Sequence, residues 1–321
     1  MDDFKKYTDG NFEEPLPQGK VFRICFDDVT MKFRLICRKD ILDGIRDTFS
    51  SANPVSFYVS QYGYNVEHKI SPINQFGFFP QGFIWEIFKY IKLHYGTLQV
   101  VSMSENCKNY INEYLRPLKT WTSGLDQEEF TPSNIADDSG RNTILISEGK
   151  QPMIPRDYQD EAIRRLIFVG NGRGMLDLST SAGKSFIIAN FIWTLHKQYS
   201  SELKYLVFVP NAQLVRQMYG DFMNYGYDKS MVTMLTSGLK KHEAYNKDAQ
   251  IIISNRQYIF KNKDKLPKID VLFNDEIHTS SDSKSSTYSF VDSLGCKIKV
   301  GCTGTMPADK ISMWNLYSVF G

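Results

Sequence analysis

A run of small residues closed by Gly183-Lys184-Ser185 offers the clearest chemistry in this chain. It follows the apolar run Met175 to Leu178 and reads Ser179-Thr180-Ser181-Ala182-Gly183-Lys184-Ser185, with a helical pattern from Ser185 to Tyr199 behind it. Small residues let backbone N–H groups close around a phosphate, and the start of the helix adds its positive end. Lys184 then reaches the outer phosphates and Ser185 ligates magnesium. The full GxxxxGK(S/T) pattern asks for glycine at position 178, where this sequence has Leu178. A GKS triplet recurs by chance; its place between a strand and a helix gives it meaning.

A second element, Val271-Leu272-Phe273-Asn274-Asp275-Glu276-Ile277-His278, sets two acids at the carboxyl end of an apolar run. In a nucleotide site one such carboxylate holds the magnesium water shell, and the next orients or deprotonates the attacking water. Acidic pairs after a strand are more often solvated loops. This pair follows the phosphate loop by about ninety residues within one series of elements, and that joint placement argues against the solvated loop.

The elements that must position these groups are legible from Tyr158 onward. Gly174 to Leu178, Tyr205 to Val209, Ile251 to Ser254, Val271 to Phe273 and Lys297 to Cys302 are apolar runs that alternate with longer helical patterns. That alternation predicts an α/β parallel sheet with helices on its faces, whose ligands bind beyond the carboxyl ends of the strands. Ahead of it, strand-like runs at Phe22 to Phe26, Lys32 to Cys37, Val55 to Ser60, Val66 to Ser71 and Leu98 to Ser102 interleave with helices. One helix is capped by Asp40 and runs to Thr48; the other runs from Phe83 to Tyr95 and stops at Gly96. A small α+β domain over residues 1–120, a polar linker over 121–152 and the parallel-sheet domain over 153–321 are the expected divisions.

Four segments in order, Pro155-Arg156-Asp157-Tyr158-Gln159, Ser181-Ala182-Gly183-Lys184-Ser185, Asp275-Glu276-Ile277-His278 and Thr303-Gly304-Thr305, resemble the motifs of superfamily 2 helicases of the DExH group. The chain is most similar to the N-terminal half of the phage UvsW-type recombination helicases, whose phosphate loop also reads TSAGKS without the first glycine. The Asn74 to Phe83 run, with Phe76, Phe78, Phe79, Pro80 and Gly82, extends the likeness loosely into the front domain. The resemblance implies a RecA-like sheet that binds ATP and Mg2+. It assigns Gln159, with Arg156 nearby, to the adenine edge, and Ser181, Ala182, Gly183, Lys184 and Ser185 to the phosphates and metal. Asp275 would hold the metal, Glu276 would activate water, and His278 with Thr303, Gly304 and Thr305 would couple the nucleotide to movement.

Family likeness also marks Pro210, Asn211 and Gln217, then Ser237 and Gly238, then Ser254 and Gln257, as contacts to a nucleic-acid backbone, which carry no base preference. Arg216 and Arg256 fit two readings, phosphate contacts or surface charges on helix faces. The implied partner is DNA, branched or single-stranded, or an RNA–DNA hybrid, and the implied setting is the cytoplasm, that of the host if the protein is phage-encoded. The sequence stops at Gly321, soon after the Thr303 element. A second RecA-like lobe, which supplies an arginine worth about 10³ to 10⁵ in rate in comparable enzymes, is expected to be absent from this chain. A module that clamps nucleic acid and is tuned by ATP is the competing reading. A P-loop kinase or GTPase explains the loop but not Gln159 together with the acidic box.

Composition sets the outer limits. With 321 residues and 42% hydrophobic content the chain folds and is long enough for two domains. Its five cysteines are scattered and odd in number, which argues against a disulfide framework or a zinc site. Met1 to Lys6 has no apolar leader pattern, and no stretch is long and apolar enough for a bilayer. Residues 1–150 carry 17 Lys and Arg against 20 Asp and Glu, while residues 151–321 carry 21 against 16. The front domain is therefore a poor general platform for nucleic acid. Its aromatics, including Phe57, Tyr58, Tyr62, Tyr64, Phe76, Phe78 and Phe79, are more often core than base-stacking surface. Arg34, Arg38, Lys39, Lys89 and Lys92 could still form a local patch.

Overall fold

Tyr205–Val209 and Val271–Asp275 are buried at every position. Only a strand covered on both faces can hide consecutive side chains in this way, because successive residues point to opposite sides. A computed structural model describes residues 16–53, 69–138, 153–179, 181–239 and 245–321. The chain divides between Asn109 and Tyr110 into two compact units.

In the first unit, β1 (Phe22–Asp27) pairs antiparallel with β2 (Lys32–Ile36). The helix α1 (Lys39–Thr48) follows, and β3 (Ser51–Ala52) pairs with β4 (Lys69–Ile70). After β5 (Phe78–Phe79), α2 (Ile84–Tyr95) leads to β6 (Val101–Met103), which lies parallel to β1 and gives the sheet order β5-β2-β1-β6. Gly96 ends α2 in the left-handed region, at φ 72°, as its turn role requires. Asp40 does not cap α1. The cap position is Arg38, and Asp40 sits in the first turn, paired with Arg38 at 2.5 Å, where its charge favours the positive end of the helix. The expected strand Val55 to Ser60 and the aromatics Phe57, Tyr58, Tyr62 and Tyr64 lie outside the described residues. Phe79 is core, fully buried and stacked on Phe33. Of the candidate cations, Arg34 lies over the Phe78 ring and Lys89 pairs with Glu86.

The second unit is built on six parallel strands among the described residues. These are β7 (Arg173–Asp177), β8 (Tyr205–Val209), β9 (Val232–Leu235), β10 (Ile251–Asn255), β11 (Val271–Asp275) and β12 (Ile298–Thr303), in the order β7-β12-β11-β8-β10-β9. Alternation along the strands splits the core in two. Val207, Ile253, Phe273 and Val300 meet α3 (Asp157–Phe168), α4 (Lys184–Gln198) and α5 (Ala212–Tyr225). Leu206, Phe208, Ile252 and Leu272 meet α6 (Ser286–Ser293) and α7 (Lys310–Phe320) on the other side. This is the α/β RecA-like core that the resemblance implies, preceded by a small α+β unit.

Residues 121–138 differ from the expected linker. Trp121, Leu125, Phe130 and Ile135 pack into the first of these cores, and Ile135 N donates to Asn190 Oδ1 at 3.2 Å. Polar composition concealed apolar anchors spaced along the segment; residues 139–152 lie outside the description. At the base of the sheet two buried cations stand side by side, since the register pairs Lys299 with Arg173. Lys299 Nζ donates to Val291 O at 2.9 Å, and Arg173 donates to Val319 O and Gly321 O. Burial pulls both below their ordinary pKa. Their partners are carbonyls at the C-terminal ends of α6 and α7, which lack intrahelical donors, so each cation fastens one helix to the sheet.

Phe191 is fully buried and meets Phe273 edge-on at 5.7 Å. Phe191→Ala is expected to cost about 3–5 kcal/mol in urea unfolding, by lost transfer energy plus a cavity between α4 and β11.

Candidate active site

Apart from Arg156 and Gln159, which lie at the start of α3, the sequence-predicted site residues of the second unit fall at or just beyond the carboxyl end of a strand, or on a helix that begins there, and parallel register brings those ends level. Asp177 pairs with Thr303, and Asp275 with Cys302. The strand order places the β7, β12 and β11 ends together, and the β8, β10 and β9 ends beyond them. Nucleotide candidates occupy the first group and nucleic-acid candidates the second.

The phosphate loop starts where β7 stops. Leu178, in the place of the pattern's first glycine, keeps its N–H on Thr303 O at 2.8 Å and packs on the core, so the turn forms after it. Thr180 lies outside the described residues. Ser181 and Gly183 are left-handed, at φ 70° and 75°. A Cβ at Gly183 would come 2.5 Å from Gln159 Nε2, so a side chain there would displace the Gln159 amide. Behind this turn, α4 begins at Lys184 and offers its free N–H groups to an anion.

Gln159 is 5% exposed and has two partners: Nε2 donates to Ala182 O at 3.1 Å, and Oε1 accepts from Arg156 N at 3.0 Å. The neighbouring Tyr158 hydroxyl donates to the same Ala182 carbonyl at 2.8 Å, a contact that the sequence did not single out. The start of α3 therefore holds the turn at Ala182 in place, with one Nε2 hydrogen and one Oε1 lone pair of Gln159 engaged.

Lys184 Nζ meets Glu276 Oε1 at 3.2 Å, which joins the β7 and β11 ends. Glu276 is held in the left-handed region, at φ 55°. Its Oε2 lies 3.2 Å from Thr303 Oγ1 and 3.3 Å from His278 Nδ1, and Thr303 Oγ1 lies 3.0 Å from His278 Nδ1. Thr305 N donates to Thr303 Oγ1 at 3.2 Å. Of the coupling residues expected from sequence, His278 and Thr303 meet the Glu276 carboxylate and Thr305 holds Thr303. Strained backbone of this kind gathers where surroundings over-determine a functional side chain.

Asp275 is 8% exposed, and its Oδ1 is buried without a hydrogen-bond partner among the described residues. Burial raises its pKa, with Glu276 adding to the rise and Lys184 opposing it. An orphaned buried carboxylate oxygen beside a phosphate loop fits a divalent cation with oxygen ligands. Ser185, the second expected ligand, shares a hydrogen bond of 2.7 Å with Tyr225 OH.

On the nucleic-acid side the results divide. Ser237, Gly238, Gln217 and Gln257 are exposed, and Pro210 is half-buried. Asn211 spends its side chain on capping α5, accepting from Leu214 N at 3.0 Å. Ser254 is fully buried, and its hydroxyl donates to Leu235 O at 2.6 Å, so its side chain does not face a strand of nucleic acid. Arg216 donates to Gly238 O at 2.7 Å. Arg256 turns inward to Thr279, which removes it from the surface charges. No helix among the described residues is long and apolar enough to cross a membrane.

Residues 152–308 match the family described as Type III restriction enzyme, res subunit. Over 208 residues the chain is 29% identical to the ATP-dependent DNA helicase uvsW of Enterobacteria phage T4, which covers 63% of this chain and 40% of that relative. The chain thus spans well under two thirds of that relative's length. Its fold is similar to the crystal structure of the UvsW helicase from Bacteriophage T4, with a TM-score of 0.62 and 23% identity over 94% of this chain and 98% of that one. A further crystal structure of T4 UvsW matches with a TM-score of 0.63 and 24% identity, over 94% of this chain and 56% of the other.

Proposed function

We propose that this chain, whose motifs resemble those of superfamily 2 DExH helicases and which is similar to the UvsW helicase, is the ATP-binding portion of a DNA helicase acting on branched DNA. Branch migration and the unwinding of R-loops or D-loops in recombination and repair are the activities this reading assigns to the whole motor, in the cytoplasm of an infected host. A second RecA-like lobe would complete the site with an arginine for the transferring phosphoryl group.

The observation that carries the reading is the contact of Lys184 with Glu276, and of Glu276 with Thr303 and His278, beside the orphaned Asp275 oxygen. Lys184 exchanges Glu276 for the outer phosphates of ATP, which frees the carboxylate to orient and deprotonate water. Asp275 and Ser185 would hold Mg2+, which when bound screens the phosphate charge. Thr303 and His278 keep Glu276 aimed, and through β12 they tie its position to the rest of the sheet. Gln159 and Tyr158 fix the loop, and the free Gln159 N–H selects adenine.

The test is ATP hydrolysis by the chain alone and with a four-way DNA junction or a linear duplex of equal length, at two salt concentrations. By itself the chain is expected to bind ATP and turn it over poorly; junction-stimulated turnover that weakens with salt is expected once the second lobe is supplied. Equal stimulation by duplex would remove the branched-DNA assignment. ATP that tightens DNA binding without ever being hydrolysed, even with the second lobe present, would mean a binding module.

A further inference from the structure

Arg256 stands just past the end of β10, as the first residue of a four-residue helix, on a turn whose other side chains are tied to the β9 end. Thr236 Oγ1 donates to Asn255 Oδ1 at 2.7 Å, and Ser254 Oγ donates to Leu235 O. Residues 235–238 and 254–257 therefore form one bonded unit that presents the exposed Ser237, Gly238 and Gln257. Arg256 leaves this unit. The sheet order places β8 between β10 and β11, and the guanidinium spans the end of β8 to donate from Nη2 to Thr279 Oγ1.

Thr279 is the third residue after Glu276. Its hydroxyl donates to the Glu276 carbonyl at 2.7 Å, and its backbone N–H donates to the same oxygen at 3.2 Å. That carbonyl belongs to the residue held at φ 55° whose carboxylate meets Lys184, Thr303 and His278. A path of two hydrogen bonds thus runs from the exposed turn to the backbone of the water-activating residue. Arg256 Nε is buried without a hydrogen-bond partner among the described residues, and the guanidinium faces the charges of Asp275 and Glu276. The two carboxylates offset part of that desolvation, and the Thr279 hydroxyl fixes where the guanidinium sits.

We propose that Arg256 is a positioning residue that, through Thr279, transmits occupancy of the 236–238 and 254–257 turns by nucleic acid to Glu276 and the phosphate loop. The proposal rests on the reading of the chain as a DNA-dependent ATP-binding motor. It makes Arg256 a conduit and not a phosphate contact.

Binding, without turnover, tests it. The dissociation constant of a fluorescent ATP analogue with Mg2+ is measured with and without saturating single-stranded DNA, for the unaltered chain and for Thr279→Val, Thr279→Ser, Arg256→Gln and the Arg256→Gln/Thr279→Val double variant. In the unaltered chain DNA is expected to tighten nucleotide binding about tenfold, within the usual range of coupling between sites. Thr279→Val removes the hydroxyl at constant shape and is expected to bring that ratio below about twofold, while ATP and DNA separately bind as before. Thr279→Ser restores the hydroxyl and the coupling, and the double variant is no worse than either single one. Coupling that survives in Thr279→Val and Arg256→Gln, or that is absent from an unaltered chain that binds both ligands, overturns the proposal. A chain that binds no ATP or no DNA overturns the functional reading beneath it.

Discussion

Lys184→Ala is expected to weaken Mg-ATP binding by about 100-fold or more while the fold stays intact. A charge-assisted hydrogen bond is worth about 1.5–3 kcal/mol, and the upper end of that range corresponds to about 100-fold in affinity. Nothing nearby replaces it: the turn supplies backbone N–H groups, but Lys184 is the cation that meets Glu276 at the mouth of the site. The side chain starts α4 and belongs to neither core cluster; it keeps 15% of its surface in water and its carboxylate partner 29%. Loss of this partly buried ion pair should therefore move stability by about 1–2 kcal/mol. Titration with a fluorescent ATP analogue beside a thermal melt checks both halves. Undiminished affinity would remove the phosphate-binding role, and a collapsed melt would make Lys184 a structural residue.

Glu276→Gln is expected to have the opposite profile. The carboxamide cannot take a proton from water, so single-turnover hydrolysis with DNA should fall by about 10²–10⁴-fold. Affinity should hold or rise by a few-fold, because Glu276 engages Lys184 and competes with the phosphates for it. Thr303 Oγ1 and His278 Nδ1 remain within reach of a glutamine oxygen at the same position. Binding that drops tenfold would reassign Glu276 to the metal or phosphate, and hydrolysis that persists would place the general base elsewhere.

These two predictions start from residues that were legible in the chain itself. Gly183-Lys184-Ser185 after an apolar run fixes a strand, a left-handed turn and a helix start within a few residues, and all three are local properties. The same holds for the Asp275-Glu276 pair just after the apolar run Val271 to Phe273. Short elements were harder. Neither β9, four residues long, nor β5, two residues long, stands out as a periodic pattern, and each exists because a neighbouring strand supplies its ladder. Polar composition over residues 121–138 hid Phe130 and Ile135, whose burial depends on helices far along the chain.

Sequence by itself determined which residues are candidates for chemistry here, because φ preference, side-chain period and the phosphate-loop pattern are set by neighbours along the chain. Only the tertiary structure decided which of them meet. β12 is late in the chain yet enters between β7 and β11, which sets Thr303 against Glu276; β8 separates β10 from β11, which makes Arg256 a bridge and turns Ser254 inward. Strand order follows from how the crossover helices bury their apolar faces on a twisted sheet, a balance of long-range packing that no local window of residues contains.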